Sequence, residues 1–183
     1  TVVAAPTVAP NTSINGQDVN QVISILGNDQ AATGYALNPT SVKLCDPTTN
    51  PVEVAPNCTL DTLTIPGEGT YTVNPTTGAV TFDPVPTFTG TATSVTYQVS
   101  DTLAVPQTRS ATITPTVIPA PVVAPDTSIN VQDVNQLISP LANDTASNGY
   151  PLLPATVKIC TTATAAASCN GTTLTIPGEG TYT

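Results

Sequence analysis

The chain has no histidine, no tryptophan and no methionine, and only three of its 183 residues are basic: Lys43, Arg109 and Lys158. Each absence excludes something. Without imidazole there is no Ser–His or Cys–His nucleophile and no histidine-ligated metal. A net charge of −9 with no basic cluster leaves nothing to neutralise phosphates, which excludes nucleic acid, and nothing to hold an anionic membrane surface. No stretch approaches the ~18 apolar residues that cross a bilayer, so membrane insertion is not expected. Charged residues make up 8%, far below the usual quarter or so. The chain is nonetheless not of the disordered class, because Val, Ile and Thr are dense and alternate. Thr1 is not an initiator Met and no signal peptide is visible, so a leader is expected to have been cleaved or to lie upstream.

What is present is a repeat. VAPNTSIN at 8–15 returns as VAPDTSIN at 123–130, QDVNQVIS at 17–24 as QDVNQLIS at 132–139, and SVKLC at 41–45 as TVKIC at 156–160. The offset is 115 residues, from Pro10 to Pro125. TLTIPGEGTYT at 62–72 returns unchanged at 173–183, now offset by 111. A fixed period of this kind is the signature of a tandem array. The expected division is the tail of a preceding repeat at 1–7, a complete repeat at 8–118, and the first half of a second repeat at 119–183. A unit of about 115 residues can bury a core of its own; half of one cannot. The junction TVIPAPVVAP at 116–125 is rich in proline and free of glycine, which predicts an extended, semi-rigid linker.

Cysteine follows the repeat, with Cys45 and Cys58 in one unit and Cys160 and Cys169 in the next. Four cysteines allow three pairings. The repeat favours the local one, in which each unit carries its own bridge. Closing a loop of this length stabilises a fold by roughly 3 kcal/mol on the chain-entropy model. Zinc is the rival, but no Cys-x-x-Cys and no His support it. A bridge in every unit implies an oxidising, extracellular compartment. The segment between the cysteines is four residues shorter in the second unit, as expected of a surface loop pinned at its base.

The hydrophobic period is two. Ser94–Ser100 puts Val95, Tyr97 and Val99 on one face and polar residues on the other. Residues 69–84 form a hairpin around the turn Asn74-Pro75-Thr76-Thr77-Gly78. Ser110–Val117 alternates with Ala111, Ile113, Pro115 and Val117 on one face, and a proline there suits an edge or a strand end. Further strands are predicted near 12–15, 19–26, 40–46 and 60–65. Seven or eight short strands at this spacing predict an all-β, antiparallel β-sandwich of the immunoglobulin-like kind.

Particular runs carry a resemblance. Ile25-Leu26-Gly27-Asn28-Asp29 and Pro140-Leu141-Ala142-Asn143-Asp144-Thr145 are similar to the strand end of bacterial Ig-like and cadherin-like repeats. The runs 66–82, PGEGTYTVNPTTGAVTF, and 88–101, FTGTATSVTYQVSD, resemble the CshA-type fibril repeat of bacterial surface adhesins. The resemblance covers essentially all of 8–118 and the matching half in 119–183. It implies β-sandwich units strung into a surface fibril on a bacterium, no enzymatic activity, and a ligand-binding region in a separate segment. Two departures stand out: two cysteines per unit, and no acidic D-P-D-G-D run after the Asn-Asp pair.

The remaining candidates are few. Glu68 and Asp83 could act as an acid–base pair, but both fall in predicted turns, where a turn or solvated-surface role is expected. No cofactor is expected. Calcium is the one metal to consider, because it needs only oxygen ligands, and Asp29, Asp133 and Asp144, with Asp18 and Asp126, lie near the unit junctions. Asn and Asp also cap helices and close Asx-turns, which explains them without metal. Lys43 and Lys158 hold equivalent positions and raise the question of an isopeptide bond. Val42 and Leu44 claim one strand face, which puts Lys43 and Cys45 on the other, facing water. The sequons at Asn11, Asn57, Asn143 and Asn170 matter only in a host that glycosylates them.

These readings converge on an extracellular structural repeat, a rigid disulfide-stabilised spacer or filament unit on the bacterial surface. Its expected partners are neighbouring repeats or copies of itself, with a possible host receptor bound through another region. The alternatives are an adhesin module that recognises a host glycan or protein, and a self-polymerising subunit whose half repeat accepts strands from a neighbouring chain.

Overall fold

The computed structural model describes residues 3–48, 53–147, 149–161 and 168–183. They form two compact units, Thr1–Ala120 and Pro121–Thr183.

The first unit is a sandwich of two sheets. In chain order its strands are β1 (Asn11–Gly16), β2 (Gln21–Ile23), β3 (Leu37–Leu44), β4 (Thr62–Ile65), β5 (Gly69–Val73), β6 (Val80–Pro84), β7 (Gly90–Thr91), β8 (Val95–Asp101) and β9 (Thr108–Ile118). One sheet runs β1-β9-β8-β3, with β7 also paired to β9; the other runs β2-β6-β5-β4. Period-two alternation turns one face of each strand inward. Tyr71, Phe82, Val80, Ile25, Leu44, Val42, Val95, Tyr97, Val99, Ile113 and Val117 form the core between the sheets. Each such side chain contributes about 1.5–3 kcal/mol by leaving water. Tyr71 and Phe82 pack with ring centroids 4.7 Å apart, and Phe88 meets Phe82 edge-on at 6.4 Å.

Two glycines are required. Gly78 ends the β5–β6 turn at φ 71°, where a side chain would also meet Leu26 and Val42. A Cβ on Gly69 would lie 2.5 Å from the Asp83 carbonyl, so only glycine lets β5 approach β6 there.

The expected all-β sandwich is present, with four departures in detail. The first and last strands pair in parallel, Asn11 opposite Ile113 and Gly16 opposite Ile118, while every other ladder is antiparallel. The strand expected across 19–26 stops at Ile23 and gives way to a 3-10 turn, Ile25–Asn28, which carries Ile25 into the core. The two-residue β7 has no period long enough to read. Finally, β9 is an interior strand although it contains Pro115. The missing N–H falls where β8 (ending its ladder at Val95–Ile113) yields to β7 (Thr91–Thr116), and the Pro115 carbonyl accepts the Ala92 N–H there at 2.9 Å.

The second unit has little regular structure. It holds a hairpin of β10 (Leu174–Ile176) and β11 (Gly180–Tyr182), a 3-10 turn at Pro154–Thr156, and isolated bridges Val122–Thr145 and Ile159–Gly171. None of its described side chains is buried, and Ile129 is 99% exposed and Leu137 94%.

Candidate functional site

Sites in this molecule are built from backbone amides and short polar side chains. The first is the disulfide loop. The structure pairs Cys45 with Cys58 and Cys160 with Cys169, at Cα separations of 4.3 and 5.6 Å. The first bridge is buried. The alternation that set Cys45 beside a solvent-facing Lys43 ends at Leu44. Beyond it, the Cys45 N–H donates to the Thr96 carbonyl, and the side chain is buried without joining the core cluster between the sheets. The loop base is closed by reciprocal Leu44–Leu60 backbone bonds. The Cys58 N–H donates to Oε1 of Gln98, which is only 8% exposed. Gln98 lies on the face of β8 expected to be wet; the cysteine loop covers it, a tertiary effect that alternation does not predict.

Glu53 organises the rest of the loop. Its carboxylate accepts the Asp46 N–H, the Thr59 N–H and the Thr59 hydroxyl. The Asp46 backbone bond and the Thr59 hydroxyl hold its pKa below the ordinary glutamate value. Residues 49–52 and 162–167, at the centres of the two loops, lie outside the described residues, as does any recognition surface expected there.

The second site surrounds Asp29. Its Oδ1 accepts the Ala9 N–H at 2.8 Å and its Oδ2 accepts the Tyr97 hydroxyl at 2.7 Å. The Asn11 amide donates to the same hydroxyl oxygen at 3.3 Å. Burial, then the hydrogen bond to Asp29, push the Tyr97 hydroxyl well above its ordinary pKa. Asn28 donates to the Pro10 carbonyl at 3.2 Å, and Thr7 and Gln30 exchange two backbone bonds. Asp144 repeats the arrangement on the Ala124 N–H at 2.8 Å, and Asn143 on the Pro125 carbonyl at 3.0 Å.

The other carboxylates named for calcium lie elsewhere. Asp18 and Asp133 sit exposed in tight turns at φ 59°, and Asp126 is exposed. Among the described residues no group of three or more His, Cys, Asp or Glu is placed to hold a metal. Lys43 meets Asp61 at 2.6 Å, on the surface. Lys158 is exposed.

Glu68 sits in the β4–β5 turn, as expected, and makes a tertiary contact from there. Its two oxygens accept the Thr93 N–H at 2.6 Å and the Thr93 hydroxyl at 2.7 Å, tying the β4–β5 turn to the loop after β7. Asp101 caps the β8–β9 loop through the Leu103 and Gln107 N–H groups and is 1% exposed. Its place at a strand end followed by a loop is the one signal that could have found it.

The family model for the surface adhesin CshA repetitive domain matches residues 3–117. The chain belongs to the CshA repeat family. No curated protein and no solved structure matches it. CshA repeats are parts of surface adhesins, a family that is generally non-enzymatic and that places the chain at the cell surface. Among the described residues no helix is long and apolar enough to cross a membrane.

Proposed function

We propose that this CshA repeat is a load-bearing spacer of an extracellular bacterial fibril, joined to neighbouring repeats and holding a distal binding region away from the cell. The observation that supports this most is the parallel pairing of β1 with β9. Asn11 stands level with Ile113 and Gly16 with Ile118, so the chain enters the first unit at one end of this ladder and leaves at the other. Tension on the two ends then pulls β1 and β9 in opposite directions along their length. The ladder bonds lie across that direction and are loaded together, in shear. The buried disulfide and the low surface charge suit the same task. No metal is needed in this reading, since Asp29 and Asp144 are engaged by amides of the chain itself.

The test is a binding screen of the disulfide-bonded chain against host glycans and matrix proteins. The spacer reading expects no saturable binding. Specific saturable binding that depends on the Cys45–Cys58 loop would replace it with the adhesin-module reading.

Strand complementation is favoured by one observation, the exposed apolar residues of the second unit. Concentration-dependent polymer formation by the chain would favour it over the spacer reading.

A further inference from the structure

We infer that the Asn-Asp pair after β2 and the glutamine after β1 are linker clasps, which fasten the segments entering and leaving a repeat and leave a single residue free between them. This deepens the spacer reading and rests on it only for its purpose.

The incoming clasp is the set of bonds around Asp29. Gln30 exchanges backbone bonds with Thr7, both 2.9 Å, Asp29 accepts the Ala9 N–H, and Asn28 donates to the Pro10 carbonyl. Three residues of incoming chain are thereby held by three consecutive residues. The second unit forms the same set at the same spacing. Thr145 exchanges bonds with Val122 at 2.8 and 3.0 Å, Asp144 accepts the Ala124 N–H, and Asn143 donates to the Pro125 carbonyl. It does so although none of the described residues of Pro121–Thr183 is buried, so the clasp is a local device of this sequence. The partners are about 20 residues apart, a short loop to close.

The outgoing clasp is Gln17. Its N–H donates to the Ile118 carbonyl at 2.8 Å, its Oε1 accepts the Ala120 N–H at 3.1 Å, and its Nε2 donates to the Pro86 carbonyl at 2.7 Å. The side chain thus ties the end of β9 to the loop before β7.

Ala120 is therefore the last residue held by the first unit, and Val122 the first held by the second. Pro121 alone stands between these bonds. It has no N–H to leave unsatisfied, and its ring fixes its own φ. Both flanks of the proline-rich stretch 116–125 are bonded, which adds to the restriction its composition imposes.

The experiment is site-resolved amide hydrogen exchange on the full chain, compared with Asp144→Ala and Gln17→Ala. In the unaltered chain the Val122, Ala124 and Ala120 amides should exchange at least about tenfold slower than unstructured amides. Asp144→Ala should return Ala124 to the unstructured rate with no shift in the unfolding midpoint of the first unit. Gln17→Ala should do the same for Ala120. Unprotected amides in the unaltered chain, or protection that survives either substitution, would overturn the proposal. Saturable ligand binding would remove the spacer reading and leave these exchange rates untouched, so the two failures are distinguishable.

Discussion

The two units contain nearly the same first half in two settings. In Thr1–Ala120 it packs against β6–β9; in Pro121–Thr183 none of the described residues is buried. The short-range geometry is the same in both. Asp18 and Asp133 share φ 59°, Asn15 and Asn130 each cap the next backbone N–H, and the Thr64–Thr70 pair across the hairpin recurs as Thr175–Thr181, both 3.0 Å. Burial is not shared: Tyr71 is fully buried, whereas its counterpart Tyr182 is 45% exposed. Turns and clasps therefore do not need the sandwich, and the core does.

The largest test of this contrast is to append a copy of residues 74–118 after Thr183. A second cooperative unfolding transition should appear in calorimetry, and Tyr182 should become protected from solvent quenching. A single transition of unchanged area would mean that the second half repeat cannot close. Next in size, Tyr71→Ala should cost the first unit about 3–5 kcal/mol in denaturant unfolding, while Tyr182→Ala should stay within about 0.5 kcal/mol. Equal effects would erase the distinction between the units. Replacing Cys45 and Cys58 together by Ser should lower the stability of the first unit by roughly 3 kcal/mol. The same change at Cys160 and Cys169 should leave that transition in place.

Smaller again, Glu68→Ala should cost about 1 kcal/mol through the lost Thr93 bonds, and Glu179→Ala nothing measurable. The smallest effect is in acid. The Glu53 pKa is lowered in the folded state, so its contribution is present above the ordinary glutamate range and is lost as pH falls through the lowered value. Exchange at the Asp46 and Thr59 amides should accelerate in that acid window, ahead of the core amides.

The division between legible and hidden features follows sequence distance. The β5–β6 hairpin, the inward set Val95, Tyr97 and Val99, and the face shared by Ile113, Pro115 and Val117 were all open to period-two reading. The parallel β1–β9 ladder was not, because alternation says which face a strand buries and nothing about the direction of a partner roughly 100 residues away. Nor was the burial of Cys45, the covering of Gln98, or the bonding of Glu68 to Thr93. Each depends on a second segment arriving over a residue that its own neighbours mark as wet or as a turn.

By itself, the sequence determined what can close over short loops: the turns, the β10–β11 hairpin and the clasps on the incoming segments, all reproduced in the second unit without a core around them. Such contacts cost little chain entropy to form. Only the tertiary structure decided which polar groups are buried and how β1 meets β9. Those contacts join residues far apart in the chain, and their entropy cost is met only when both sheets bury their apolar faces at once.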